Sequence, residues 1–319
     1  MRKETLFMAK SNIPESFEEL RQYCPYLSDK FLEILDEYAL NRFKKVQTKL
    51  QYLYAIASLC NHTKSDFLTL TDKKVQDFFE HFSQEADLST VKYNLRIYRA
   101  IARFIDEHAK LYKVSPIYTQ FFTTVSLPEQ EIEIDPADLP SFEEIDRVFQ
   151  YAKEKNEMVL FIAMSLALRC SMTIHEITAL KKEMFFQDAK GNYGIRIKVS
   201  NTSDRFVKIP EDVANIIMNY VSTRFAEVPN LLLNKQNRPV SIRSLQNWLR
   251  SACISCNIKP FTLNQLRVLS VAHMLKSGAP EKKIAEYINV KGTAWFFRYN
   301  RVVKELEDSA VDYTHIKIV

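Results

Sequence analysis

Apolar side chains recur at helical spacing in four stretches of the first 110 residues. In the first stretch, Leu27, Phe31 and Leu35 lie four residues apart, and Ser28 is placed to cap the N-terminus of a helix. Thr71 is a second cap of this kind. The pattern predicts helices over residues 27–41, 46–60, 71–82 and 87–110. Because the connections between them are short, we expect these helices to pack as a bundle.

The pattern changes after residue 115. Four prolines interrupt the helical spacing between residues 115 and 140, so we predict a linker there. Beyond it the helical pattern resumes, broken by two alternating runs at 193–199 and 205–209 that predict a β-hairpin. The remaining predicted helices cover residues 142–153, 158–169, 174–181, 211–224, 241–256, 263–276, 281–288 and 294–309.

These elements divide the chain into two predicted domains. The predicted order is an N-terminal extension at 1–27, a helical domain at 28–115, a linker at 116–140 and a second domain at 141–319. The fold class is therefore mainly α, with an α+β second domain that contains a small β-hairpin or sheet. Four glycines in 319 residues agree with a helical chain, and no glycine-rich phosphate loop is present.

Composition excludes several classes of protein. No run approaches the roughly 18 consecutive apolar residues that span a membrane, and the N-terminus lacks the apolar run of a signal peptide. We therefore expect a cytoplasmic protein with no membrane partner. The five cysteines are irregularly spaced, and the only C-x-x-C, at Cys253 and Cys256, has no second pair or nearby histidine. The sequence predicts neither a bound metal nor a cofactor.

Charge is distributed unevenly along the chain, although the net charge is only +5. Residues 128–146 carry a net charge of −8, whereas residues 147–319 carry +11. A basic second half behind an acidic connector favours a polyanionic partner for that half.

Two groups of basic residues lie in the first domain. One group shares a face of the predicted fourth helix, and the other starts the predicted second helix. They form either an ordinary solvated surface or a set of phosphate contacts, and clustered cations without an intervening acid favour the second interpretation. The candidate residues for binding duplex DNA are Lys45, Lys49, Lys92, Arg96, Arg99 and Arg103.

Several short motifs follow one another in a fixed order. They are VQTK at 46–49, LTD at 70–72, LST at 88–90 and LPSFEEI at 139–145. In this order, over roughly residues 30–305, the chain resembles the tyrosine recombinases, or phage integrases, of the two-domain Xer type. The resemblance implies a core-binding, SAM-like DNA-binding domain, followed by a catalytic-type domain. It also implies that the two domains close around a duplex as a C-shaped clamp.

The resemblance also implies a particular chemistry. In that family, two arginines bind the scissile phosphate, a hairpin lysine protonates the leaving 5′ oxygen, and histidines assist. A tyrosine attacks to form a 3′-phosphotyrosyl link. Fixed guanidinium donors suit this reaction because the transition state carries more negative charge than the ground state. The covalent intermediate conserves the bond for religation.

The first half of the expected site is substituted. The sequence SMTIHEI at 171–177 lies where the family has GLRISEL, so Thr173 replaces the first arginine while Glu176 matches. Arg169 lies one turn upstream, where we expect a surface salt bridge rather than phosphate contact. In the hairpin, Ser200 replaces the lysine, and Lys198 is a candidate substitute two residues earlier on the same strand face.

The second half of the site is mixed. The sequence NQLRV at 264–268 lies where the family has HxLRH, so Arg267 matches the second arginine. Asn264 and Val268 replace the two histidines, and Val290 replaces a third. Tyr299 falls at the position of the nucleophile. The catalytic candidates are therefore Tyr299, Arg267 and Lys198.

Three functions remain open from the sequence. We favour a duplex-DNA-binding relative of the recombinases, acting in DNA recombination or integration, with impaired or absent strand cleavage. Loss of one preorganised donor typically slows such a step by about 10²- to 10³-fold, and several are missing here. The alternatives are an active recombinase with a rearranged site that uses Tyr299, and a protein-interaction module that has lost DNA binding.

The C-terminal segment suggests a second kind of contact. Residues 313–319 alternate apolar and polar side chains, as a strand that pairs at a sheet edge does. Members of the resembling family exchange a C-terminal element between protomers. We therefore predict that residues 302–319 dock on a neighbouring copy, on a partner recombinase or back on their own domain.

Overall fold

The computed structural model describes residues 17–40, 42–43, 46–127, 133–198, 204–223 and 228–306, apart from the side chains of Glu18 and Gln47. The chain forms two compact units, Met1–Gln130 and Glu131–Val319. The structure confirms the predicted fold class, because helices dominate and one small antiparallel sheet lies in the second unit. Among the helices described, none is long and apolar enough to cross a membrane.

The first unit is a bundle built around one long helix. Its helices are α1 (Phe17–Tyr23), α2 (Asp29–Leu40), α3 (Val46–Thr63), α4 (Asp72–Glu85), α5 (Leu88–Glu107), α6 (Ala109–Tyr112) and α7 (Tyr118–Thr123). Helix α5 buries Val91, Leu95 and Tyr98 in the core. The fully buried Tyr98 hydroxyl donates a hydrogen bond to the Ala55 carbonyl of α3 at 2.7 Å, so its burial leaves no polar atom unpaired.

The predicted helix caps of the first unit are present. Ser28 Oγ accepts a hydrogen bond from the Phe31 amide at 3.1 Å. Thr71 Oγ1 likewise accepts from the Lys74 amide. Each hydroxyl satisfies one of the amides that the first turn of a helix leaves unpaired, which fixes where α2 and α4 begin.

The predicted N-terminal extension at 1–27 is wrong in its last third. Helix α1 lies there, and Phe17, Leu20 and Cys24 are buried in the core of the bundle. These residues are spaced by three and four, which is a helical signal too short to stand out in the sequence.

The predicted linker at 116–140 also differs from the structure. Helix α7 occupies residues 118–123 and packs on α5, with Phe122 fully buried. Two side chains of α5 hold its ends. The Asp106 carboxylate accepts hydrogen bonds from the Tyr118 and Thr119 amides at 3.1 and 2.7 Å, and Arg99 Nε donates to the Phe122 carbonyl at 3.0 Å. These tertiary caps replace the local capping signal that the segment lacks.

The second unit packs helices around α9 and one sheet. Its helices are α8 (Phe142–Glu154), α9 (Met158–Cys170), α10 (Ile174–Ala179), α11 (Glu211–Ser222), α12 (Ile242–Ser255), α13 (Leu263–Lys276), α14 (Glu281–Ile288) and α15 (Asn300–Leu306). Helix α9 is apolar over most of its surface and is buried beneath α8, α11 and α13. The C-terminal end of α9 leads directly into residues of the candidate site, beginning with Ser171.

The sheet confirms the predicted hairpin and adds a strand. Its strands are β1 (Phe185–Gln187), β2 (Tyr193–Ile197) and β3 (Arg205–Ile209), in the order β1-β2-β3 and antiparallel. Burial alternates along β3, so Arg205, Val207 and Ile209 face the core, whereas Phe206 and Lys208 are exposed. In the register, Ile197 pairs with Arg205 and Arg196 with Phe206.

The predicted docking of residues 302–319 falls partly outside the described residues. Within them, α15 packs on α13, and Val302 is buried in the same unit. This part of the segment therefore lies against its own unit. Residues 307–319 lie outside the described part of the chain.

Candidate active site and basic surface

Arg267 is held between two backbone segments. It lies on α13, which begins with a capping box between Thr262 and Gln265. Its Nε donates a hydrogen bond to the Ser171 carbonyl at 2.9 Å, and its Nη2 donates to the Ile288 carbonyl at 3.1 Å. Burial lowers the pKa of the Arg267 guanidinium, although the nearby Glu176 and Tyr299 side chains oppose this shift. Arginine nevertheless keeps its charge in proteins, so Arg267 is a fixed cation.

The turn that positions Arg267 uses an unusual serine conformation. Ser171 ends α9 with φ 50° and ψ 32°, in the left-handed region that favours glycine, and glycine is what the family pattern has here. Its buried Oγ forms a 2.6 Å hydrogen bond with the Oγ of Ser270, which is also buried. Because its carbonyl accepts from Arg267, the strained turn on α9 and the cation on α13 are parts of one arrangement.

Thr173 acts as the N-cap of α10. Its Oγ1 accepts a hydrogen bond from the Glu176 amide at 3.2 Å, and Glu176 Oε2 accepts from the Thr173 amide at 2.8 Å. This capping box explains why a threonine is stable here, but its neutral hydroxyl cannot replace the arginine of the family pattern. Arg169, one turn upstream, forms the predicted surface salt bridge, with Asp212 at 3.0 Å.

A second cation lies close by, on strand β3. The Arg205 side chain is 3% exposed and forms an ion pair with Glu176. Its Nε donates to the Tyr287 carbonyl at 2.6 Å. From the sequence, Arg205 was predicted only as the first residue of the second hairpin run at 205–209. The available signal was its position in the alternation, since a charged residue on the core-facing side of a strand needs a buried partner.

Tyr299 is buried beside Arg267. It ends a 3-10 segment, Ala294–Tyr299, so the predicted helix at 294–309 becomes α-helical only from Asn300. The side chain is 2% exposed and packs edge-on against Trp295, with ring centroids 5.1 Å apart. Burial raises the pKa of the Tyr299 hydroxyl to about 12, and the charges of Arg298 and Arg267 only partly offset the shift. The hydroxyl is therefore protonated near neutral pH.

The segment before α8 is attached to the residues around Tyr299. The Ile134 amide donates a hydrogen bond to the Arg298 carbonyl at 2.8 Å. Asp135 forms an ion pair with Arg301 at 3.6 Å, one residue into α15 from Asn300. The backbone before Tyr299 and the Arg301 side chain after it are thus bound to residues 134–135.

Valines occupy two positions at which the resemblance implies histidines. Val268 and Val290 are half-buried and pack against the apolar cluster that contains Tyr299. Asn264 is exposed at the start of α13. None of the three supplies an imidazole, and the two valines add apolar surface next to the tyrosine.

The structure does not bring Lys198 to the other candidates. Lys198 is exposed directly after β2, and the alternation places its side chain with Arg196 on the outer face of the sheet. Arg205 and its Glu176 partner lie on the inner face. Ser200 lies in the segment 199–203, outside the described residues. Across the described ranges, no group of three histidine, cysteine or acidic side chains could hold a metal ion.

Comparison with known proteins identifies this arrangement. The profile of the phage integrase family matches residues 141–305, which is more than half of the chain. The chain belongs to the phage integrase family. The match runs from α8 into the last turn of α15, and it therefore includes all the candidate catalytic residues.

Solved structures extend the likeness to both units. The XerH site-specific recombinase bound to a palindromic difH substrate has a TM-score of 0.68 and 14% identity, over 91% of this chain and 92% of that chain. A lambda integrase (75-356) dimer bound to a COC' core site has a TM-score of 0.67 and 15% identity, over 88% and 99%. The Tn1549 transposon integrase in complex with circular intermediate DNA has a TM-score of 0.60 and 11% identity, over 86% and 98%. At these identities the likeness shows the fold. No curated protein matches the sequence.

The basic surface of this integrase-family chain is smaller than predicted. On α5, Arg96 and Arg103 are exposed and Lys92 is half-exposed. Arg99 instead donates hydrogen bonds to the Phe122 and Val125 carbonyls around the end of α7. Arg99 therefore holds the end of α7 in place, and a contact of this residue with DNA stays a prediction.

The predicted basic group at the start of α3 also has fewer free cations among the described residues than the sequence suggested. The Lys49 ammonium lies 4.9 Å from the centre of the Phe17 ring, a cation–π distance, so its side chain packs on α1. Lys45 lies outside the described residues.

Proposed function

We propose that this integrase-family protein binds duplex DNA and acts in DNA recombination or integration. The observation that carries the proposal is the family match over residues 141–305, which is most of the second unit, with a fixed arginine beside the tyrosine at the nucleophile position. The XerH and lambda integrase structures to which the chain is similar hold DNA, and one of them is a dimer. The exposed arginines of α5, Arg96 and Arg103, supply cations for phosphate contact.

DNA binding is tested by its dependence on salt. Wild-type protein should bind a long duplex at low salt, with log K falling linearly against log salt. The variant Arg96→Gln/Arg103→Gln should weaken binding to all sequences and reduce the slope by about two, roughly 0.9 per lost phosphate contact. The matched control Lys153→Gln/Lys155→Gln removes two exposed charges from α8 and its end. An equal effect of both variants would contradict the assignment of α5.

We further propose that strand cleavage is impaired in this protein. Tyr299 is buried among apolar side chains, burial holds its proton with a pKa of about 12, and two imidazole positions carry valine. Arg267 provides a cation, but Thr173 cannot provide the second one of the family pattern. A neutral phenol attacks a phosphodiester slowly unless its proton is removed and the phosphate is neutralised.

The cleavage proposal is tested on nicked suicide substrates that carry the native site. Wild type and Tyr299→Phe should both give no covalent protein–DNA adduct. An adduct from wild type that is absent from Tyr299→Phe would establish the alternative, an active recombinase with a rearranged site. The proximity of Arg267 to Tyr299 favours that alternative. Failure of wild type to bind any duplex would instead favour a protein-interaction module.

A further inference from the structure

Two guanidinium groups converge on the same two backbone segments of the second unit. Arg205 Nε donates to the Tyr287 carbonyl and Arg267 Nη2 to the Ile288 carbonyl, which are consecutive at the end of α14. At their other sides, Arg267 binds the Ser171 carbonyl at the end of α9, and Arg205 binds the Glu176 side chain in the first turn of α10. Arg205 on β3 and Arg267 on α13 are thus two cations that lie side by side at the end of α14.

The charges at this place do not balance. Glu176 forms an ion pair with Arg205, whereas the described contacts of Arg267 are with two neutral carbonyls and Glu176 acts on it only as a nearby charge. The carbonyls at the end of α14 offset part of the excess, because the C-terminus of a helix carries partial negative charge. Arg205 Nη2 is nevertheless buried and has no hydrogen-bond partner among the described residues. A buried donor without a partner costs free energy that an anion at this point would recover.

Glu176 places the Arg205 guanidinium next to Thr173. One carboxylate oxygen accepts from Arg205, and the other accepts from the Thr173 amide at 2.8 Å and its hydroxyl at 3.0 Å. The Glu176 carboxylate therefore contacts both the Arg205 guanidinium and the short side chain of Thr173. Glu176 is 19% exposed and Arg267 is half-exposed, so solvent reaches the edge of the arrangement.

We propose that Arg205 and Arg267 together bind one phosphate group of the DNA backbone, with Glu176 as the residue that positions Arg205. This inference rests on the proposed DNA-binding function. A guanidinium presents a planar fork of donors that matches two oxygens of a phosphate, and two such forks on one phosphodiester give a fixed, charge-assisted contact. Arg205 comes from the strand β3 and not from the start of α10, so the chain obtains its second cation from a different element.

The test is the double variant Arg205→Met/Glu176→Gln. It removes one positive and one negative charge, so the net charge of the protein is unchanged. If Arg205 binds a phosphate, affinity for duplex DNA should fall roughly ten- to a hundredfold, the effect of losing a charged hydrogen bond. The slope of log K against log salt should fall by about one. If the ion pair only holds β3 to α10, the slope of log K against log salt should not change. A folded double variant that binds duplex DNA with the affinity and the slope of wild type would overturn the proposal.

A second measurement applies if the double variant does not fold. Wild-type protein with isotope-labelled arginine is titrated with inorganic phosphate, against chloride at equal ionic strength, and the guanidinium resonances are followed by NMR. The guanidinium resonances of Arg205 and Arg267 should shift with phosphate and not with chloride, and an absence of shifts would overturn the proposal. Wild type that shows these shifts but binds no duplex would contradict the proposed function and leave the phosphate contact itself supported.

Discussion

Removing the Ser270 hydroxyl should destabilise the second unit more than its size suggests. Ser171 is fully buried and Ser270 is 6% exposed, and their Oγ atoms are 2.6 Å apart. Ser270→Ala leaves the Ser171 hydroxyl buried with no partner, which costs about 1–3 kcal/mol, whereas deleting one oxygen leaves almost no cavity. We expect a loss of about 2 kcal/mol in the free energy of unfolding.

The matched control is Ser171→Gly/Ser270→Ala. It removes both hydroxyls, so no buried donor remains unpaired, and glycine adopts φ 50° without the steric cost that a Cβ brings. Glycine also makes the unfolded chain more flexible, which offsets part of this gain by about 0.5–1 kcal/mol. We therefore expect the double variant to unfold within about 1 kcal/mol of wild type.

Denaturant unfolding followed by tryptophan fluorescence measures both variants. The two tryptophans, Trp248 and Trp295, lie in the second unit, so the signal reports on the unit that contains the serines. A double variant as unstable as Ser270→Ala, or less stable, would refute the reasoning. It would mean that the hydrogen bond between the two serines itself stabilises the contact between α9 and α13. The cost of leaving one buried hydroxyl without a partner would then not explain the loss.

Three further predictions follow from single side chains. Because burial raises the pKa of Tyr299 from 10 to about 12, the folded protein keeps a proton that the unfolded chain loses, and stability falls as pH rises through this range. From pH 8 to 11, wild type should lose about 1.4 kcal/mol more than Tyr299→Phe in denaturant unfolding. Arg99→Gln should abolish hydrogen-exchange protection of the amides of α7, whereas Arg96→Gln should leave it unchanged. Asp106→Asn should reduce the same protection, by about 1–3 kcal/mol in opening free energy, because it weakens the cap at the other end.

The sequence predicts elements whose ends are defined locally. Helix α13 was predicted at 263–276 and α14 at 281–288, and the structure has the same bounds. Thr262 caps α13 through residues three positions away, and Asn289 ends α14 in the left-handed conformation, so neighbours in the chain carry the signal. Helix α7 has no such neighbours. Its ends are closed by Asp106 and Arg99, whose roles depend on the packing of α5.

The residues of the candidate site also differ in whether neighbouring residues in the sequence identify them. Arg267 and Tyr299 were found from the resemblance, because their spacing to neighbouring motifs survives in the chain, and the structure places them together. Arg205 could not be found this way, since its partner Glu176 lies 29 residues away. Lys198 faces outward because of the hairpin register, which the sequence alone does not fix.

The attachment of residues 134–135 has a consequence for access to Tyr299. The Ile134 amide binds the carbonyl of the residue immediately before Tyr299, and Asp135 pairs with a residue two positions after it. A movement of residues 298–301 away from residues 134–135 must stretch or break at least one of these contacts. Exposure of Tyr299 by such a movement is therefore opposed partly at residues 134–135, far away in the sequence. Replacing Asp135, which pairs with Arg301 at the surface, would change how often the hydroxyl reaches solvent without changing any residue of the apolar cluster that contains Tyr299.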